Sequence, residues 1–212
     1  MAFLPRTPFT IHGGCFCRAI TYTISVPTLA SRPLIPDPPN RAFGPQNEVM
    51  ERLPIITLDH CNSCRRISGS IVECWFVCPQ IWAQFSLLPR SSDSTSTDET
   101  NRIVLPTTLS LLKPSQSVLE NTYVTVFQSS ENTYRTFCGK CGTHLTFYYE
   151  GDDDDMASEE HWGPYFDVAV GTLERDSAEM EGLRPGRHSW WDEGLEWVKG
   201  LTGVCREGSA FN

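Results

Sequence analysis

The chain has 212 residues, 40% hydrophobic and 11% aromatic, which is enough to bury one core and too short for more than two small domains. Its net charge of −9 is concentrated: residues 151–160 (GDDDDMASEE) hold six of the 26 acids and no base, so the acidity marks a solvated loop without EF-hand spacing. No basic stripe or basic-aromatic interleaving is present, which excludes a nucleic-acid surface, and no stretch approaches the roughly 18 apolar residues of a membrane span.

Residues 13–25 open on Gly-Gly, which predicts a turn, and pass into alternation. Ile20, Tyr22 and Ile24 fall on one face and Thr21, Thr23 and Ser25 on the other, the pattern of a half-buried strand. Cys15 and Cys17 stand two apart at its start, where an extended backbone points both thiols the same way. From 26 to about 57 come seven prolines and no periodicity, which predicts a long irregular excursion with too little apolar content for its own domain, suited to cover a site as a lid. Residues 58–70 (LDHCNSCRRISGS) carry Cys61 and Cys64 at C-x-x-C spacing, with two competent further ligands upstream. On an extended backbone Asp59 points with Cys61 and His60 points away, so Asp59 is favoured.

Residues 71–78 read as a buried strand whose β-branched and aromatic context makes Cys74 and Cys78 core thiols. A second excursion, polar and of low complexity, runs over about 88–102. Residues 123–127 and 133–137 form a hairpin around a turn at 129–132, followed by strands at 145–149 and 165–170. The tail RPGRHSWW (184–191) precedes a helix of about two turns with Leu195, Val198 and Leu201 at helical spacing. The 15 glycines and 15 prolines fit this reading of one mainly β domain over 1–212 with few short helices.

The hairpin delivers Cys138 and Cys141, each followed by glycine. That is the form of a zinc knuckle, a tight turn aiming two thiolates at one ion, although C-x-x-C alone also suits thiol-disulfide exchange. Nine cysteines in paired spacings, with no apolar leader of signal-peptide length, predict reduced thiols, metal binding and a cytoplasmic protein. The three pairs offer six thiolates. One closed four-cysteine site uses four, and the remaining two cannot complete a tetrahedron from sulfur unless Cys74, Cys78 or Cys205 joins. A second zinc would thus keep an open position, as a catalytic zinc needs.

The segments GGCFCRAITYTI (13–24), HCNSCRRISGS (60–70), TFCGKCGTHLTF (136–147), DVAVGTL (167–173) and PGRHSWW (185–191) together resemble the glutathione-dependent formaldehyde-activating enzymes and their centromere protein V relatives. The resemblance implies a β-tent of twisted antiparallel sheets and two zinc ions. It implies a structural zinc on Cys15, Cys17, Cys138 and Cys141, and a second on Cys61 and Cys64. The family's second motif reads C-x-C-x-x-C, and its first cysteine falls at Asp59 here.

The family reaction adds the glutathione thiol to formaldehyde, and members are classed as carbon-sulfur lyases for the reverse step. Asp59, Cys61 and Cys64 are then the catalytic candidates, and Arg65, Arg66 and Arg135 the candidates for the carboxylates of a small substrate such as glutathione. A carboxylate in place of a thiolate hardens the ion and suits it to polarising an oxygen or activating water. Elimination, hydration or isomerisation of an oxygenated metabolite is the alternative on the same site, and a non-catalytic zinc module for protein interaction is the third reading. No nucleic-acid or membrane partner is expected.

Overall fold

The structure, a computed structural model, describes residues 3–35, 47–90, 101–151 and 164–202. These residues are mainly β, with eleven strands and five short helices. In chain order they are β1 (Phe9–Gly14), β2 (Ile20–Val26), β3 (Ile55–Asp59), α1 (Asn62–Ser68), β4 (Glu73–Pro79), β5 (Ala83–Leu87) and β6 (Ile103–Val104), then α2 (Leu109–Leu112), α3 (Gln116–Asn121), β7 (Val124–Ser130), β8 (Thr133–Cys138), β9 (His144–Tyr149), β10 (Tyr165–Ala169), α4 (Arg175–Ala178), β11 (Arg187–Ser189) and α5 (Glu196–Thr202).

Four strands form one sheet in the order β1-β2-β5-β6, and seven form the other in the order β11-β3-β4-β10-β9-β8-β7. All pairings are antiparallel except β11 with β3, which is parallel. The main core joins the two sheets: Ile20, Tyr22, Ile24, Phe85 and Leu87 of the smaller pack with Ile56, Phe76, Cys78, Phe166 and Val168 of the larger. Phe85 links them directly, with its ring 5.4 Å from Tyr22 and 6.0 Å from Phe166. The opposite face of the seven-stranded sheet carries a separate cluster of Cys64, Trp75, Val77 and Ala169, with Ile55, Cys61, Phe147 and Tyr165 packed against it. Period-two alternation builds both layers, because successive side chains in a strand face opposite sides.

Several expectations need correction. Gly13 and Gly14 end β1 instead of turning; the turn comes at 16–19, with Arg18 in the left-handed region at φ 60°. Glycine at 13 serves close approach, since a Cβ there would meet the Tyr22 ring at 2.3 Å. The excursion from 26 to about 57 ends earlier, because residues 55–57 already belong to β3. Within it Leu29, Ile35, Val49 and Leu53 are buried, and the buried Arg32 donates to the carbonyls of Pro5, Thr7 and Pro27. A guanidinium thus satisfies backbone groups that a ladder would otherwise have taken, which is why the segment holds together without periodicity. Residues 36–46 lie outside the described set.

The excursion at 88–102 is docked at both described ends. Leu88 donates its N–H to the Ala19 carbonyl, and Arg102 donates to Ser86 and Ala19. Residues 91–100, the acidic stretch 152–160 and Cys205 lie outside the described residues. Strands β5, β6 and β11 and helices α2 and α3 are not legible as elements in the sequence, being too short to show a period. Of the helical triad at the C-terminal end, Val198 is fully buried whereas Leu201 is 71% exposed.

Candidate metal centres

The first centre is assembled from two turns on different sheets. Cys15 and Cys17 sit in the β1–β2 turn, held by Arg18 N–H to the Cys15 carbonyl and by the Ile20 N–H donating to Cys15 Sγ at 3.3 Å. Cys138 ends β8, and the knuckle closes with Gly142 N–H on the Cys138 carbonyl, Gly142 taking φ 78°. Phe16 N–H donates to Thr143 Oγ1 at 3.1 Å, stitching one turn to the other. All four sulfurs lie within 4.8 Å of one another. Cys17 Sγ is 3.6 Å from both Cys15 Sγ and Cys138 Sγ. A tetrahedron with Zn–S bonds of about 2.3 Å has edges of about 3.8 Å, so the four thiols fit one ion, and none of them is paired in a disulfide. The Cys15 thiol and the Cys141 and Lys140 backbone amides pull Cys138 down to about 5, against its burial, while its share in the same pairing pushes Cys15 up. One thiolate is thus favoured even before a cation arrives.

The second centre lies on the outer face of the seven-stranded sheet. Asp59 closes β3, Cys61 caps α1 and Cys64 falls in the first turn of that helix, so strand end and helix start converge. Their ligand atoms also lie within 4.8 Å of one another. Both oxygens of Asp59 are fixed: Oδ1 accepts from the Cys61 N–H at 2.8 Å and Oδ2 from Trp75 Nε1 at 3.0 Å. Each oxygen keeps a lone pair for a cation. Cys61 is held down to about 6, first by the Cys64 thiol and then by the Cys64 and Ser63 amides at the helix start, while Cys64, donor in that pair and buried, is pushed up. Three donors of mixed hardness fit a divalent ion with a coordination position to spare.

His60 takes no part. Its Nε2 pairs with His188 Nδ1 at 2.7 Å, and both rings pack edge-on to Trp191, because His60 points to the side of the strand away from Asp59. Burial lowers both imidazoles, His188 to about 4. Cys74 and Cys78 belong to the main core and join neither group of donors.

The three arginines separate. Arg135 is 3% exposed; its Nη2 lies 3.5 Å from Cys64 Sγ, its Nε donates to Ser129 Oγ, and its guanidinium covers the Phe147 ring at 4.7 Å. It backs the Cys64 sulfur from inside the protein. Arg65 and Arg66 lie on α1 at the rim, Arg65 bonded to Asn62 and Arg66 exposed.

Sequence reasoning gives no role to four residues that surround the second centre: Glu73, Trp75, His144 and Asp167. Glu73 is the cross-strand partner of Asp59, and its carboxylate stands 3.7 Å from His144 Nδ1. His144 reaches this face through a bulge: Thr136 pairs with Thr146 but Phe137 pairs with His144, so Leu145 is the extra residue and turns into the main core. The imidazole then stacks on Phe137 and meets Trp75 edge-on. Asp167 lies in register between Val77 and Phe147, and Arg135 is the next residue along that row. Burial, then the charge of Asp59, push Asp167 up to about 8 against the pull of Arg135. The residue as a whole is half-buried on the same sheet face as the second centre. A lone acid within an apolar strand is the available signal for both Glu73 and Asp167.

An apolar groove of about 290 Å³ lies elsewhere, lined by Leu4, Val49, Met50, Ile56, Arg184 and Pro185 among others. It holds none of the clustered donors. Compared with family models and with curated proteins, the sequence gives no match to either. Among the described residues no helix is long and apolar enough to cross a membrane.

Proposed function

We propose that the chain is a zinc-dependent enzyme that joins or separates a thiol and a small carbonyl compound, a carbon-sulfur lyase in the cleaving direction, with glutathione as the natural candidate for the thiol. The observation that carries this reading is the second centre: three donors, Asp59, Cys61 and Cys64, set apart from a closed group of four. A four-donor thiol site has no room for a substrate, whereas a three-donor site does. A bound zinc ion would supply positive charge there, easing deprotonation of a thiol and polarising a carbonyl.

The chain's own residues perform the rest. Trp75 and the Cys61 amide hold the Asp59 carboxylate in one orientation, and Arg135 offsets negative charge at Cys64. Arg65 and Arg66, at the open rim, are suited to the glutathione carboxylates, a role that Arg135 is too buried to share. The apolar wall of Val77, Ala169, Phe147 and Tyr165 limits the water that would compete for the carbonyl. The resemblance to the formaldehyde-activating enzymes supports the same reading, as do eight free thiols among the described residues, which suit a reducing cytoplasm. On this reading the chain is one zinc-binding domain of the β-tent type.

Metal analysis with an assay of hemithioacetal formation from glutathione and aldehydes tests it. Two zinc ions per chain and a rate above the uncatalysed background are expected. One zinc ion and no rate would leave an interaction module.

A further inference from the structure

The sheet face that carries the second centre has a polar group that the candidate metal centre does not account for. A dication and Arg135 together offset the three negative groups Asp59, Cys61 and Cys64, with Arg135 Nη2 on Cys64 and its Nε on Ser129. Arg135 Nη1 has no acceptor, so that guanidinium does not reach the neighbouring Asp167. No described residue donates a hydrogen bond to the Asp167 carboxyl, although Val77 and Phe147 flank the residue in register and Trp75 and Ala169 form the next row of the same face. A half-buried carboxyl without a hydrogen-bonding protein partner is poised for a polar group from outside.

We propose that Asp167 is the residue that orients the reacting oxygen of the substrate, and that this sheet face selects a neutral carbonyl or hydroxyl compound carrying an apolar substituent. The proposal rests on the thiol-carbonyl reading and deepens it. Its geometry is that of one hydrogen bond, donated by the hydroxyl of the hemithioacetal and accepted by the Asp167 carboxyl, with the substituent against Val77, Phe147 and Tyr165. A carboxylate in the same place would add a negative charge beside Asp59 and Asp167, a repulsion that a neutral oxygen avoids, so anionic carbonyl compounds are disfavoured. Formaldehyde leaves the apolar wall empty, whereas an aromatic aldehyde fills it.

The test uses the zinc-loaded full chain with glutathione and benzaldehyde, beside glutathione and formaldehyde. Benzaldehyde is expected to be the better substrate in kcat/KM. Asp167→Ala should lower kcat roughly 100-fold, the scale of a lost orienting contact, with the KM for glutathione within about threefold and the zinc content unchanged. Asp167→Asn, which keeps the volume and a hydrogen bond, should fall between the two. Unchanged kcat in both variants, or benzaldehyde no better than formaldehyde, overturns the proposal. If the natural chain accelerates neither aldehyde, the reaction assigned above is wrong, and NMR binding of benzyl alcohol and benzoate decides the recognition by Asp167 separately. Benzyl alcohol bound by the natural chain, weakened about tenfold by Asp167→Ala, with benzoate unbound, supports the recognition. No binding of the alcohol, or equal binding by the variant, overturns it.

Discussion

The two candidate metal centres use the same residue type in opposite ways. At the first, two turns from different sheets each contribute two thiols, and the backbone of each turn is tied to its own sulfurs or to the other turn. At the second, all three donors come from residues 59–64 on a single sheet face, and the surroundings are titratable side chains: Glu73, His144, Arg135 and Asp167. A centre that joins sheets contributes to the fold, since its ligands are far apart in the unfolded chain. A centre local in sequence does little for the fold and has a coordination position to spare.

The sharpest way to break that comparison is to remove one ligand from each centre. Cys138→Ser is expected to give insoluble or largely unfolded protein, because a structural zinc site contributes on the order of 10 kcal/mol to folding. Solubility, zinc content and a thermal melt check it. A soluble, zinc-replete variant with the natural melting curve would show that the four thiols do not hold an ion. Cys61→Ser and Asp59→Ala are expected to fold, with zinc falling from about two ions per chain to one. If either unfolds as Cys138→Ser does, the division of labour between the centres is wrong.

A milder test keeps every ligand in place. Titration with a chelator should strip zinc in two steps, the Asp59-Cys61-Cys64 ion leaving first, because three donors bind less tightly than four and a carboxylate is a harder partner than a thiolate. Asp59→Cys should delay the first step and leave the second where it was. Equal retention before and after that substitution would mean that position 59 does not ligate.

The unequal legibility of the two centres has the same physical origin. Cys15, Cys17, Cys138 and Cys141 are announced by turn chemistry, glycines beside paired cysteines, which acts over a few residues and is visible in a string of letters. Glu73, Trp75, His144 and Asp167 come together through strand register, and a single bulge at Leu145 decides which face His144 reaches. Register depends on partners far along the chain, so no local pattern states it. The alternation in β2 and the hairpin of β7 and β8 are legible for the opposite reason, being repeated local signals. Gly13 misleads because close approach to Tyr22 and a turn call for the same residue.

The smallest expected effect concerns a residue that ligates nothing. Trp75 is buried, and its Nε1–H is the donor that holds Asp59 Oδ2, while its ring packs against His144 and Phe147. Trp75→Phe keeps an aromatic ring there and deletes the donor. Loss of volume in the cluster should cost about 1–3 kcal/mol of stability, a cost felt by the whole fold. Loss of the hydrogen bond should act only on the second centre, where freeing an outer-shell contact to a ligand typically weakens metal binding about 10-fold to 100-fold. Chelator titration separates the two effects, because the first-centre step serves as the internal reference. A first step shifted by about tenfold, with the second unmoved, would place Asp59 Oδ2 under the control of Trp75. Parallel shifts of both steps would mean that the substitution acts through general stability, and that the Asp59 carboxylate is positioned by the Cys61 amide alone.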